Sequence, residues 1–370
     1  MSSCVLFGGA GFVGTHLTKR FLESGRFSHV HIADIQPSPL RGMPGVTSSI
    51  TDVRRPIPRD MISESPEWIF NLAAIHREPG HEDYEYFETN LTGARTVCEY
   101  ADSVNCRNIH FTSSISVYGP TTGPTVERSP IRPSTPYGAS KYPAELIHEA
   151  WQRSRPGRRL LISRPGVLYG PGDPGNIMRM IKAIKRGYFA FPCSPGIFKS
   201  YGYIYGFLDS IEFTMDQPVD LITYNYAESP TQSLGELVSI IKSFCDCKAV
   251  VFPVPLWVLL PISELVQRIF GFKNPIHPVR VRKAATPTHI VPQVLHDMKF
   301  NFRYNFEGSL RHWQSVAPED FGPELTSTAP PGKLRFAEKQ YGREATTQPA
   351  SRHEITRQPD RKRESTLVDV

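Results

Sequence analysis

A doubly wound α/β fold with a parallel sheet and a smaller C-terminal lobe is what this 370-residue sequence predicts, and two observations carry the prediction. From residue 1 to about residue 172, short apolar runs alternate with amphipathic stretches, the pattern of successive βαβ units. The glycine cluster GGAGFVG, residues 8–14, stands between the first apolar run and the first amphipathic stretch. In α/β chains that is where a strand turns tightly into a helix. With 39% apolar and 21% charged residues, the chain can bury one large core and an appended lobe.

Strands are predicted at 4–7, 30–33, 68–73, 108–112 and 160–163, with a fainter one at 46–49. Helices are predicted at 13–24, 88–103 and 137–153 between them. The start of the third helix is well marked, because Thr135 can cap it and the fixed φ of Pro136 suits a first turn. Pro143 deletes a backbone donor inside that helix and is expected to bend it.

After residue 172 prolines become frequent, and helices at 177–186 and 233–244 are separated by aromatic loops. Residues 1–172 therefore read as a cofactor-binding domain that carries the reactive side chains. Residues 173–325 read as a mixed α/β substrate lobe, some segments of which return to the first domain. From 326 to 370 hydrophobic periodicity disappears, and a disordered tail is expected.

The formal charge of +6 owes much to that tail, so no nucleic-acid footprint is read from it. Six cysteines without CxxC spacing are expected to be free thiols, and no metal site is predicted. The run at 4–7 is short and lacks a basic leader, so it reads as a first strand and not a secretory signal; a cytoplasmic location is expected. The segment VVFPVPLWVLLPI, residues 250–262, carries three prolines and is shorter than the roughly 20 residues of a spanning helix. It reads as a core or pocket wall, with peripheral membrane contact as the alternative.

Gly8, Gly11 and Gly14 form a GxxGxxG arrangement that lets backbone N–H groups approach a pyrophosphate at a helix N-terminus. Asp34 ends the second strand, where a carboxylate accepts hydrogen bonds from an adenosine ribose diol and repels a 2′-phosphate. NAD is therefore expected over NADP. Asp52 and Val53 follow the third strand, where they could receive the adenine amino group and ring. Leu72, Ala73 and Ala74 are small or apolar residues at the end of the fourth strand, suited to a backbone passing close to a dinucleotide.

Tyr137 and Lys141 are four residues apart on the third helix and project from one face. A phenol titrates near pH 10, and an adjacent ammonium favours its phenolate. Ser113 and Ser114 offer hydroxyls at the C-terminal rim of the sheet.

Taken in order, GGAGFVG, Asp34, NLAA at 71–74, Asn90, FTSSISVYG at 111–119, PYGASK at 136–141 and RPGVLYGPG at 164–172 resemble the extended short-chain dehydrogenases. That family includes nucleotide-sugar epimerases and dehydratases, and the resemblance spans roughly residues 3–315. It implies a Rossmann-type sheet, with Ser114, Tyr137 and Lys141 catalytic and Tyr137 exchanging a proton with a substrate hydroxyl. It also implies that Phe12, Val13, Asn90, Pro165 and Val167 join the residues above, with Tyr137 and Lys141, in holding NAD. Ser114, Tyr137 and Lys199 are implied to meet the substrate, Lys199 through a diphosphate. Arg164 is implied to be a structural anchor, and Tyr118 to pack at the rim.

Dehydratases of that family carry an acid and a base after the serine; Ile115 and Ser116 stand there, so elimination is disfavoured. The resemblance therefore implies an epimerase acting on a nucleotide sugar by transient oxidation of a hydroxyl. A 3β-hydroxysteroid type of dehydrogenase, served by the apolar segment 250–262, is the second enzyme reading. A non-catalytic dinucleotide-binding sensor or structural subunit is the reading from another class. By analogy, helices 88–103 and 137–153 would build a homodimer.

Overall fold

The computed structural model describes residues 2–322 except 122, 174 and 272–276, and describes Phe270 by its backbone alone. The tail expected at 326–370 lies outside the described residues. Six strands alternate with three helices in the first half: β1 (Ser3–Phe7), α1 (Phe12–Glu23), β2 (His29–Asp34), β3 (Val46–Ile50), β4 (Trp68–Asn71), α2 (Asp83–Ser103), β5 (Asn108–Thr112), α3 (Pro136–Arg153) and β6 (Arg159–Pro165). The second half adds β7 (Val167–Tyr169), α4 (Asn176–Lys185), β8 (Tyr188–Pro192), β9 (Phe198–Lys199), β10 (Tyr201–Tyr203), α5 (Ile204–Met215) and β11 (Leu221–Tyr226). After these come β12 (Gln232–Ser233), α6 (Leu234–Phe244), β13 (Val250–Val254), α7 (Leu256–Phe270), α8 (Pro278–Ala285), α9 (Gln293–Asp297) and α10 (Phe306–Val316).

The central sheet has seven parallel strands in the order β11-β6-β5-β4-β1-β2-β3. Sequence order reverses between β1 and β4, which opens a crevice at their C-terminal ends. Both faces of the sheet are covered at its centre, so β1 and β4 are apolar at successive positions, while the edge strand β3 is largely exposed. Val5, Phe7, Ile69 and Phe111 pack into the core that takes residues of α2 and α3. Cys4, Leu6, Ile32 and Phe70 point the other way, into the core shared with α1 and α5. Because β11 rejoins the sheet beside β6, a strand from the predicted lobe completes the first domain. The remaining strands pair in twos, β7 with β10, β8 with β13 and β9 with β12.

Three local differences from the sequence reading have physical causes. Strand β4 stops at Asn71, since Leu72 makes a last bond to the Phe7 carbonyl before the chain passes tightly over Gly8. Helix α2 begins at Asp83, a turn and a half before residue 88, because Glu82 and Glu85 form a reciprocal capping box. Segment 250–262 is not a core wall: it forms β13 and the start of α7, where Trp257 is 77% exposed. Helix α3 runs unbroken through Pro143 to Arg153. All six cysteines are free. Among the described residues no group of three or more metal-ligating side chains occurs, and no helix is long and apolar enough to cross a membrane.

Three buried imidazoles belong to the first half of the fold. Burial lowers His110 in β5 to about 3, His148 in α3 to about 4 and His31 in β2 to about 4, from an ordinary value of 6.5. Neither ring nitrogen of His110 has a hydrogen-bond partner. Their folded pKa values lie below the unfolded value, so the unfolded chain takes up protons first. The native state is thus at full strength above about pH 6.5 and loses stability as pH falls towards 4, by roughly 1.4 kcal/mol per pH unit for each group. Urea titrations between those limits should give a falling midpoint, and His110→Leu should flatten the slope; an unchanged slope would show that His110 does not titrate on unfolding.

Candidate active site

The crevice between β1 and β4 is built from backbone pressed close together. Gly8 has φ of +75°, and a Cβ there would stand 2.6 Å from the Ala73 nitrogen. A Cβ on Gly14 would stand 2.4 Å from the Gly9 Cα. Neither position can carry a side chain without moving main chain. Helix α1 begins at Phe12 and Val13 with no side chain capping it, so the N–H groups of its first turn face the crevice mouth. Asp34 braces the loop: its carboxylate accepts hydrogen bonds from Ala10 N at 3.0 Å and Gln36 N at 2.9 Å. This cradle fits the pyrophosphate of a dinucleotide.

The neighbouring positions have partners of their own. Asp52 accepts a bidentate pair from Arg54, at 3.0 and 2.7 Å, and the Arg54 guanidinium holds its carboxyl below the ordinary range. Val53 is buried against α2, where a Cβ on Gly93 would meet its Cγ2 at 2.8 Å. Asn90 is buried, accepting from Ile75 N at 3.1 Å and donating to Ser140 Oγ at 2.7 Å, which ties the chain after β4 to α3. Leu72, Ala73 and Ala74 lie in that chain, over the glycine turn.

Tyr137 and Ser114 are brought together by the start of α3. Thr135 caps the helix, accepting from Gly138 N at 3.2 Å. The helix start packs so closely on the 3-10 turn Ile115–Tyr118 that a Cβ on Gly138 would lie 2.3 Å from the Ser116 carbonyl. Ser114 caps that turn, accepting from Ser116 N at 3.1 Å, and its side chain lies close enough to the Tyr137 phenol to lower the phenol's pKa. Ser113 is buried and donates to Glu145, so of the two adjacent hydroxyls it is Ser114 that meets the tyrosine.

Burial pushes the Tyr137 phenol up to about 12, with Ser114 pulling it back and Glu78 adding to the rise. This differs from the sequence expectation, in which Lys141 lowers it. The Lys141 ammonium lies 4.2 Å from the centre of the Phe111 ring and is almost fully buried. Burial brings it down to about 7, and Glu145 acts in the opposite sense. Burial likewise lowers His76, and Lys141 is among the cations that lower it further.

Under this pair runs a buried network. Arg164, at the end of β6, donates to both Glu145 oxygens at 2.9 and 2.5 Å and to Tyr118 Oη at 2.7 Å. Tyr118 in turn donates to Asn225 of β11 at 2.8 Å. Pro165 closes β6, and Val167 opens β7 with 43% of its surface exposed. Lys199 stands farther into the lobe, where its ammonium donates to the carbonyls of Lys283 at 2.7 Å and Thr286. It therefore fastens the C-terminal end of α8, and burial lowers it to about 8.

Four residues of the site escaped the sequence reading. Glu145 was legible, since it continues the four-residue spacing of Tyr137 and Lys141. Glu78 accepts from Tyr137 N at 3.2 Å and pairs with Lys283, contacts across 59 and 205 residues that no local pattern announces. Arg179 and Arg280 come from α4 and α8; burial lowers Arg280, and the nearby charges of Arg179 and Arg77 lower it further.

The model of the NAD dependent epimerase/dehydratase family matches residues 4–197, more than half of the chain. The N-acetyl-alpha-D-glucosaminyl-diphospho-ditrans,octacis-undecaprenol 4-epimerase of Escherichia coli O157:H7 is 28% identical over 311 residues, 83% of this chain and 92% of that protein. UDP-glucose 4-epimerase 2 of Arabidopsis thaliana is 28% identical over 211 residues, 50% of this chain and 60% of its own. Among solved structures, the UDP-glucuronic acid 4-epimerase from Bacillus cereus in complex with NAD superposes with a TM-score of 0.68 at 15% identity, covering 86% of this chain and all of that one. MoeE5 in complex with UDP-glucose and NAD gives 0.67 at 19%, covering 87% of this chain and all of the other. The two superpositions carry the fold, and the family match joins it to the glycine cradle and the tyrosine–lysine helix: this chain belongs to the NAD dependent epimerase/dehydratase family.

Proposed function

We propose that the protein epimerises a hexose carried on a diphosphate, by transient oxidation of one ring hydroxyl to a ketone. The observation that carries this reading is the approach of Ser114 to the Tyr137 phenol at the start of the helix that carries Lys141 one turn farther on. NAD, when bound, supplies the redox chemistry. The glycine loop with Phe12 and Val13 would hold its pyrophosphate, Asp34 its adenosine ribose, and Asp52 and Val53 its adenine. Leu72, Ala73, Ala74, Pro165 and Val167 would flank the rest, with Asn90 keeping the β4 loop in place.

Tyr137 is the proton-transfer group. With its pKa pushed up to about 12 it is a competent acid, suited to returning a proton to the ketone oxygen. Removing the proton requires a cation near the phenol, and Lys141 is the chain's own. Ser114 orients the same oxygen. Ile115 and Ser116 have no titratable group with which to eliminate water, which favours epimerisation over dehydration. Arg77, Arg179 and Arg280 would supply positive charge for a diphosphate, while the Lys199 ammonium is held by the carbonyls that end α8.

A nucleotide is the first carrier to test. A polyprenyl carrier is a second reading, favoured by two observations: a relative matched over 92% of its length is named for a diphospho-undecaprenol sugar, and α7 presents apolar side chains to solvent. Tyr84 and Phe87 of α2 and Leu146 of α3 are exposed and would seat a homodimer in the cytoplasm.

The purified protein should be incubated separately with UDP-glucose, with UDP-N-acetylglucosamine and with N-acetylglucosaminyl-diphospho-polyprenol. The expected result is the 4-epimer of at least one, with no net NADH. Stoichiometric NADH from a hydroxysteroid, with none of the sugars converted, would replace the epimerase reading with the dehydrogenase one.

A further inference from the structure

We infer that α7 and its flanking strand form a bilayer-docking surface, which seats the protein on an anionic membrane. A surface helix of a globular protein normally turns its apolar stripe inward. Helix α7 is apolar on its inner side, with Leu256, Leu259 and Leu260 partly buried, and on its outer face as well. Trp257, Ile262, Leu265 and Ile269 are 77, 49, 58 and 64% exposed, and Pro261 lies exposed among them. At about 100° per residue these five fall within one arc of the helix. Ser263, on the opposite side, is completely buried.

The apolar surface continues into the strand that leads to the helix. Val250 and Phe252 of β13 are 66 and 44% exposed. They pair in register with Tyr188 and Ala190 of β8, so these four side chains share one face of the two-stranded sheet. Exposed apolar side chains in such number on one element mark an interaction site.

Charge identifies the occupant. Arg268 stands exposed at the edge of the α7 stripe, and α8, which packs on α7, carries an exposed Arg282. Arg179 of α4 lies close enough to Arg280 of α8 for its charge to be felt there. Glu264, the one acid on α7, is exposed one turn before Arg268, so α7 itself is neutral and the positive charge of the rim comes from α8 and α4. An apolar stripe edged by arginine and ending in an interfacial tryptophan is complementary to acyl chains beneath anionic headgroups. A second copy of the chain would bring like charges together at the same rim. At 15 residues α7 is about 22 Å long, too short to span a bilayer and suited to lying in its interface.

The inference stands apart from the choice of sugar carrier, because binding to lipid is measured without substrate. Its functional consequence is that a diphosphate sugar anchored in the bilayer would meet the arginines of α4 and α8 at headgroup depth.

Trp257 provides the readout. The other three tryptophans, Trp68, Trp151 and Trp313, are at most 5% exposed. The full chain should be mixed with phosphatidylcholine vesicles containing about one third phosphatidylglycerol, and with the same vesicles brominated on the acyl chains. Cosedimentation and quenching of tryptophan emission are expected, both weakened by salt and both weaker on pure phosphatidylcholine. Leu265→Glu with Ile269→Glu should reduce binding at least tenfold while leaving NAD affinity and melting temperature unchanged, as substitutions at exposed positions do. Absence of vesicle binding would overturn the inference. So would a doubling of the solution mass that the same pair of substitutions abolishes, since the patch would then be a self-association face. Loss of epimerase activity on every sugar, with vesicle binding retained, would refute the proposed reaction and leave the docking surface standing.

Discussion

Tyr137→Phe is expected to lower turnover by about a thousandfold, within the range that a positioned acid–base group contributes, while NAD affinity stays within about twofold of the parent. The substitution removes one oxygen from a half-buried ring, and with it the interaction with Ser114. The ring remains, so the packing at the start of α3 is kept. Thr135 still caps the helix, and the Tyr137 backbone nitrogen still donates to Glu78. The loss should therefore fall on kcat, with KM nearly constant, because the phenol proton matters only as the substrate hydroxyl changes its bonding. Isothermal titration with NAD and steady-state epimerisation separate the two effects. Turnover within threefold of the parent would mean that another group carries the proton, and His76, lowered by burial beside Lys141, would be the one to substitute next.

What could be read from the sequence divides along the range of the interactions. The cradle was legible because Gly14 answers to Gly9 within one βα turn and Asp34 stands at a strand end twenty residues on, whereas the contact that requires glycine at position 8 comes from distant Ala73. Tyr137 and Lys141 were legible because helical spacing puts them on one face. Which of two adjacent serines meets the tyrosine was not a spacing question; it depends on Glu145 taking Ser113. The protonation balance was not legible either, since burial is the largest influence at both Tyr137 and Lys141, and burial is a property of the whole fold. Segment 250–262 shows the limit of hydrophobicity as a guide. Its composition fits a core, yet α7 packs mainly on short α8 and leaves its apolar stripe outside. Lys199 shows the same limit for charge, since a lysine suited to an anion has its ammonium in the carbonyls that end α8.

The largest stability effect should come from Arg164→Met. Arg164 and Glu145 are a buried pair, with side chains 7 and 0% exposed, and the carboxylate accepts two arginine bonds and one from Ser113. Burying such a pair costs desolvation that its attraction roughly offsets, so the pair itself adds little. Removing one member is different, for it leaves a charge in a dry site. A loss of about 3–5 kcal/mol is expected, read as a lower urea midpoint. Adding Glu145→Leu to Arg164→Met should recover most of it, because two apolar side chains ask for no counter-charge. The single substitution also has a catalytic signature. Glu145 already raises the Lys141 pKa against the effect of burial, and without Arg164 its whole charge would act on that lysine. Lys141 should then stay protonated to higher pH, and the pH profile of epimerisation should move in the alkaline direction. A variant that is destabilised by less than about 1 kcal/mol would show that Glu145 takes up a proton and sheds its charge once its partner is gone. The alkaline displacement would then be absent as well, so the two measurements stand or fall together.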